Sequence, residues 1–374
     1  MTAPERAPED ALARAERAGI HRLSLPTPFL VGRINCYLIE DEPLTLIDTG
    51  PNSGKALDQL ELALAERGHR VEDLELIVIT HQHMDHFGLL DILARRSGAE
   101  VAALDLLAPY LARFSESMDA DDQFAESLMR LHGVPADVVS SLRTVSSAFR
   151  ACGCSAQVTR RLHHGDELAL RDRTLRVLHR PGHSPSDTLF FDERRAIMLA
   201  GDHLIAHISS NPLLSRPLEP ISGAARPPDA APGAARPPEA APGAARPPEA
   251  ISDAERPRAL ITYIDSMRAT REMPIELTLP GHGDPFLDHR TLIDQRFAMH
   301  ARRAQKMLGL IRDRPLSAYE LAHAMWGNVA VTQAYLTLSE VLGHVDILVR
   351  DGLAQELSSG NVVRFGATAP AVGR

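Results

Sequence analysis

The sequence predicts an α/β fold in which two strand-rich halves stack as a four-layer α/β/β/α sandwich, followed by a small winged-helix-like domain. Three observations carry this. Short apolar strands alternate with helices from about residue 20 to 96, and strands resume between 157 and 199 after a helical stretch. Past residue 288, three helices precede a hairpin pattern. At 374 residues the chain is long for one ordinary core, which fits one large and one small unit. The expected division is 1–288 for the large domain, 289–366 for the winged-helix-like domain and 367–374 for a flexible tail.

Residues 8–18 read as a short polar helix. Leu23–Leu30, Asn35–Ile39 and Leu44–Ile47 read as strands, the last ending at Asp48-Thr49-Gly50. A helix is expected over 53–68. Leu74–Thr80 (LELIVIT) is almost wholly apolar and suits a strand buried on both faces. The chain then passes through His81–Gly88 into a helix near 88–96. Loops at the C-terminal ends of such strands are where open α/β sheets place ligands. Residues 104–150 are mostly helical in pattern, with Met118, Phe124, Leu128, Met129 and Leu131 among their apolar positions. This insertion suits a substrate pocket or lid, and equally extra core or an oligomer contact, so a homodimer is among the forms to expect.

Strands resume at Gln157–Leu162, Glu167–Leu170, Leu175–His179, Leu189–Asp192 and Ala196–Leu199. Residues 223–252 hold three ten-residue units, GAARPPDAAP, GAARPPEAAP and GAARPPEAIS. With paired prolines and almost no large apolar residue, they cannot offset the entropy of ordering and read as a disordered insert. After Ile275–Leu279 the pattern changes. His289–Arg312 is a long helix, and Ser317 with Glu320 forms a capping box opening a second. Thr332–Asp351 is a third, closed by Gly352. Leu353–Leu357 and Asn361–Phe365 flank Ser358-Ser-Gly360 as a hairpin.

Composition narrows the function. Apolar residues are 44 % and charged residues 24 %, a soluble globular mix, and no apolar run is long enough to span a membrane. The formal net charge of −9 disfavours a protein whose main task is holding polyanions. Three cysteines, Cys36, Cys152 and Cys154, do not make a disulfide framework, and the N-terminus lacks the apolar stretch of a secretory signal. A cytoplasmic location and no membrane partner are expected.

The sharpest chemical signal is His81-Gln-His83-Met-Asp85-His86. Four possible ligands fall within six residues directly after a buried strand, and imidazole with carboxylate suits zinc, iron or manganese. Three more follow expected strands, each beside a glycine that lets the backbone turn closely: Gly182-His183, Gly201-Asp202 and Gly281-His282. His203, His207, Ser210 and Asn211 follow Asp202 and are candidates for contacting substrate.

These residues resemble the metallo-β-lactamase superfamily, whose motif is H-x-H-x-D-H with a later His, Asp and His. The resemblance covers roughly residues 20–288, the repeat excepted. It implies the sandwich and two divalent metal ions, expected to be zinc, with iron or manganese as alternatives. On that pattern His81, His83 and His183 hold one metal, Asp85, His86 and His282 the other, and Asp202 bridges them. Asp48, in the T-x-x-D-T-G stretch, would orient a ligand histidine from behind. The implied mechanism is attack by a metal-bridging hydroxide, with Asp85 accepting a proton. Ser184 lacks the strand–elbow–helix setting of a serine nucleophile.

Within the superfamily, Asp202 stands where some zinc β-lactamases carry Cys, and His83 stands where flavodiiron proteins carry Glu; both activities are disfavoured. The full set also argues against single-iron dioxygenases. It is similar to glyoxalase II-like thioesterases and to the lactamase-β-2-like branch with a winged-helix-like tail. Residues 289–365 do not look like a glutathione-binding segment. They hold nine Arg or Lys against seven Asp or Glu, and their third helix has only Arg350 as a basic residue, so nucleic acid is not the expected partner. A thioester or related ester-like small molecule is the leading substrate. The alternatives are single-stranded RNA cleavage and a ligand-sensing regulator.

Overall fold

The computed structural model describes residues 8–218, 256–359 and 361–368. In chain order its first half contains α1 (Pro8–Arg17), β1 (Ile20–Leu25), β2 (Ile34–Ile39), β3 (Thr45–Ile47), α2 (Gly54–Ala65), β4 (Leu76–Ile79), α3 (Met84–Phe87), α4 (Leu90–Ser97) and β5 (Glu100–Leu104). The insertion is α5 (Ala108–Ala112), α6 (Phe114–Leu131) and α7 (Ala136–Phe149). Then come β6 (Arg160–Leu162), β7 (Glu167–Ala169), β8 (Thr174–His179), β9 (Thr188–Asp192), β10 (Ile197–Gly201), α8 (Ala259–Arg271) and β11 (Leu277–Pro280). The C-terminal part is α9 (His289–Leu310), β12 (Leu316–Ser317), α10 (Ala318–Trp326), α11 (Val329–Thr332), α12 (Ala334–Arg350), β13 (Ala354–Ser359) and β14 (Val362–Ala367).

Two sheets make up the large unit, in the orders β1-β2-β3-β4-β5-β6 and β11-β10-β9-β8-β7. Their strands alternate faces with a period of two. In β4, Leu76 and Val78 join Tyr37, Ile47, Val177, Phe190, Leu199 and Leu279 between the sheets. Ile77 and Ile79 point the other way, to Leu60, Leu64, Phe87 and Leu93 of the helices outside. On the far side, Leu189, Phe191 and Met198 pack against Leu260, Tyr263 and Met267 of α8. These three apolar layers make the four-layer α/β/β/α sandwich.

Strand directions bring the chemical loops to one edge. β3, β4 and β5 are parallel, so Asp48 and the His81 loop leave the sheet on the same side. β10 and β11 are also parallel, so Asp202 and His282 emerge together. β8 and β10 both pair antiparallel with β9, which points β8 and His183 the same way. A bridge from Ile34 to His282 closes the two sheets at this edge.

Some boundaries differ from expectation. The strand expected over Leu23–Leu30 ends at Leu25, because Pro26 and Pro28 have no N–H to give the ladder; Phe29 and Leu30 lie in the loop beyond. Glu100–Leu104, helix α8 and the short β12 are additional elements. In the C-terminal part, β12, β14 and β13 form a three-stranded sheet, and Ser317 and Glu320 close the capping box at α10. Its core extends into the insertion: Phe124, Leu128, Met129, Val134 and Val139 share one cluster with Met307, Leu321, Leu338, Leu342 and Phe365. The repeat at 223–252 lies outside the described residues, as does most of the expected tail. No helix among the described residues is long and apolar enough to cross a membrane.

Candidate metal centre

The centre is built from backbone turns upward. Asp48 sits just past β3 with φ +59, a left-handed conformation that Asp and Asn tolerate better than most residues. There its carboxylate works as a hub. Oδ1 accepts from the Thr80 amide at 2.9 Å, and Oδ2 accepts from the Thr80 hydroxyl at 2.8 Å. Oδ2 also meets His86 Nδ1 at 2.7 Å. Because the Thr80 hydroxyl donates to Asp48, it is free to accept from His81 Nδ1, 3.0 Å away. One carboxylate thus fixes two histidines, one directly and one through Thr80.

Two more imidazoles are held by carbonyls. His183 Nδ1 lies 3.0 Å from Asn211 O, and His282 Nδ1 lies 2.8 Å from Arg33 O. In all four, the anchored Nδ1 sets the tautomer and turns the Nε2 lone pair inward. His83 presents Nδ1 instead, 3.0 Å from His81 Nε2 and 2.9 Å from His183 Nε2. Asp202 spans what lies between. Its Oδ1 is 3.4 Å from His86 Nε2, while Oδ2 is 3.6 Å from His183 Nε2 and 3.5 Å from His282 Nε2. Asp85 Oδ2 is 3.3 Å from His282 Nε2.

Two groups result, each with ligand atoms within 4.8 Å of one another: His81, His83, His183 and Asp202, and Asp85, His86 and His282. They fit a cation on the chemistry of the donor set. His86 Nε2, His282 Nε2 and Asp202 Oδ1 are buried without a hydrogen-bond partner, and three imidazole nitrogens crowd one point in the other group. Buried polar atoms left this way are costly unless something else meets them. The electrostatics divide likewise. Burial pushes His81 well below its usual pKa and His83 down to about 3, so both are neutral, the form that binds a metal. Burial acts against charge at His86 too, but Asp202 and Asp48 overcome it and raise its pKa. At Asp202, burial is overcome by His282 and His86, which hold the carboxyl well below the usual range.

Close packing completes the centre. A Cβ on Gly281 would lie 2.2 Å from Asp202 Oδ1 and 2.8 Å from His86 Cε1, so the backbone there has to be glycine. The seven sequence-identified ligand candidates therefore come together, with Asp48 behind them. The residues suggested for substrate contact separate. His207 is exposed and lies over Gly283, next to His282. Asn211 turns its carbonyl to His183 and its amide to Leu336 O, 3.1 Å away. Ser210 is buried beside Tyr263. His203 does not face the centre: it is fully buried, with Nε2 3.0 Å from Thr270 Oγ1 on α8. Ser184 Oγ donates to Asp187 Oδ1 at 2.7 Å and has no histidine base. Thr80 and the carbonyls of Arg33 and Asn211 were not foreseen. Thr80 adjoins the motif, but a carbonyl leaves no mark in a sequence.

Comparisons with known proteins identify the family. A family model described as the metallo-beta-lactamase superfamily matches residues 30–282. The chain is similar to the probable metallo-hydrolase YqjP of Bacillus subtilis, 29 % identical over 343 residues, which cover 92 % of this chain and 96 % of that protein. A beta-lactamase domain protein from Burkholderia ambifaria superposes with a TM-score of 0.71 at 25 % identity, covering 94 % of this chain and 92 % of the other. A metallo-beta-lactamase family protein from Thermus thermophilus has the same fold, with a TM-score of 0.70 at 23 % identity over 94 % and 99 % of the two chains. With its sandwich, its clustered histidines and aspartates and a match across most of its length, the chain belongs to the metallo-β-lactamase superfamily and is a hydrolase of that fold.

Proposed function

We propose that the chain hydrolyses a thioester or related ester-like bond in a small molecule, with two divalent metal ions, zinc first among them, in this centre. His81, His83 and His183 would hold one ion, Asp85, His86 and His282 the other, and Asp202 would serve both. The observation that carries the reading is the inward turn of four Nε2 atoms, each fixed by a partner on its Nδ1, around an aspartate that reaches both groups. When bound, such a pair of ions supplies water that ionises near neutral pH and a Lewis acid for the substrate oxygen.

The protein's own groups do the rest. Asp85, the carboxylate of its group, takes the proton the nucleophile sheds. Asp48 and Thr80 keep His86 and His81 in one tautomer through the cycle. No side-chain nucleophile is called for, since the Ser184 hydroxyl is committed to Asp187. His207, exposed over Gly283, is the residue best placed to meet substrate at the rim.

We read residues 289–366 as a winged-helix-like unit that packs beside the metal centre and does not read nucleic acid. α12, the helix that would enter a groove, has most of its residues buried, among them Leu338, Val341, Leu342 and Val345. A buried helix has no face left for base edges.

Elemental analysis of protein purified without chelator should find two metal equivalents per chain, and Asp202→Asn should lower that number. The metal-loaded protein should cleave acyl-thioesters and leave labelled single-stranded RNA intact. Cleavage of RNA alone would replace thioester hydrolysis with nuclease chemistry. Cleavage of neither, with tight binding to a DNA operator, would favour a ligand-sensing regulator.

A further inference from the structure

A cleft of about 390 Å³ opens beside the metal centre, between the insertion and the start of α12. That volume is in the range that takes a small organic ligand. Gln82, His83 and Met84 line it, so a loop of the metal centre is one of its walls. The segment 213–216 forms another and is stitched to the same place: the Leu213 amide donates to His183 O at 3.3 Å. Tyr335 and Ser339 of α12 hold that segment from the other side, at Leu214.

The walls are apolar. Phe124, Met129 and Val139 contribute buried side chains from α6 and α7, and Leu214 faces them. Met84, Met118 and Met129 give flexible, adaptable surface. The apolar character continues to the rim. Val145 and Leu336 line the cleft, yet both are among the few exposed large hydrophobic residues of the described chain. Leu30, 89 % exposed, adjoins Phe29, which lines the cleft and packs on Phe149 at 5.1 Å. Apolar groups left in water around a cavity mouth mark a binding site for apolar matter.

The charged groups there offer no anion site. Asp121 is paired with Arg216 and accepts from Tyr110. Asp122 is paired with Arg150, and Glu126 with Arg130 and Arg143. No cation of the lining stands free of an acid, as a phosphate-bearing ligand would need.

We propose that this cleft binds the hydrocarbon chain of the acyl group, making the substrate a medium- or long-chain fatty acyl thioester or ester with its carbonyl delivered at His83. The inference rests on the hydrolytic reading above, and the test separates the two. The zinc-loaded full chain is assayed with acetyl, butanoyl and octanoyl thioesters of N-acetylcysteamine. Calorimetry measures decanoate and acetate binding to the metal-free protein. Ala125, which lines the cleft, is replaced in Ala125→Trp to fill it.

We expect kcat/KM to rise about fourfold per added methylene, the gain from burying one CH2 group. Decanoate should bind where acetate does not, and Ala125→Trp should weaken decanoate about tenfold. A flat chain-length series with steady turnover would overturn the acyl cleft and leave thioester hydrolysis standing. Decanoate binding weakened about tenfold in Ala125→Trp, with no thioester cleaved, would support the cleft and overturn the reaction. Absence of both would overturn both.

Discussion

At the scale of single residues, the centre depends on a side chain that would touch no metal. Asp48 accepts from Thr80 and His86 and, through Thr80, governs His81. Asn at this position keeps the left-handed backbone, because its short polar side chain tolerates positive φ as Asp does. Asp48→Asn therefore changes chemistry with little backbone strain: an amide offers one acceptor oxygen where the carboxylate offers two, and no charge. We expect zinc affinity to fall about 10- to 100-fold, the usual cost of losing a partner behind a ligand histidine, and the metal-free protein to melt somewhat lower, because one buried donor loses its acceptor. Competition against a chromophoric chelator measures it; unchanged affinity would show that Asp48 only shapes the turn. The ligand-type residues themselves were legible in the sequence, because His81, His83, Asp85 and His86 crowd one loop and His183, Asp202 and His282 each follow a strand and a glycine. Their orientation was not. It depends on Thr80 and on two carbonyls brought in from positions 33 and 211, and any residue carries a carbonyl. His203 misleads for the opposite reason: it adjoins Asp202 in sequence, but the turn after β10 sends it to α8.

At the scale of elements, hydrophobic periodicity found most strands and helices and failed where composition was ambiguous. Glu100–Leu104 reads EVAAL, with one β-branched residue and two alanines, and becomes a strand because it lies parallel to β4 on one side and β6 on the other. α8 carries Ile261, Thr262 and Ile264, which weaken a helical reading, yet its Leu260, Tyr263 and Met267 face cover the second sheet. The pair α9 and α12 holds a buried polar contact with a consequence for pH. His300 Nδ1 lies 3.1 Å from His344 Nε2, His344 Nδ1 faces the Glu340 carbonyl, and Glu340 pairs with Arg303. Burial pushes His300 down to about 3, helped by His344, Arg303 and Arg296. Its folded pKa thus lies below its unfolded value, so its share of stability is present above about pH 6.5 and is lost as pH falls toward 3. His300→Gln keeps a neutral donor toward His344 and cannot titrate. Thermal melts from pH 7 to pH 4.5 should show the wild type losing ground to the variant as pH drops; parallel curves would mean His300 does not control this loss.

At the scale of the whole molecule, the boundary expected near residue 288 separates two parts of the chain that share one apolar cluster. Phe124, Leu128, Met129, Val134 and Val139 belong to the insertion, but they are buried by Met307, Leu338, Leu342 and Phe365. Gly343 lets α12 press on α8 so closely that a Cβ there would lie 2.7 Å from Leu260 Cβ. Asp346 of α12 forms a two-point ion pair with Arg256 at 2.7 and 2.5 Å, both side chains buried, and also meets Arg258. Removing the C-terminal part would take Asp346 from this pair, and breaking such a pair while it stays buried, as Asp346→Ala does in the full chain, typically costs about 3–5 kcal/mol. It would also bare the insertion's apolar face and take Tyr335 and Leu336 from the cleft wall. Stability of a domain is commonly about 5–15 kcal/mol, so these losses together are enough to unfold it. A chain ending at residue 288 should therefore aggregate on expression, and Asp346→Ala in the full chain should melt well below the wild type. A monomeric, soluble 1–288 fragment that binds metal as the full chain does would show instead that the C-terminal part is an accessory and that the insertion is stable alone.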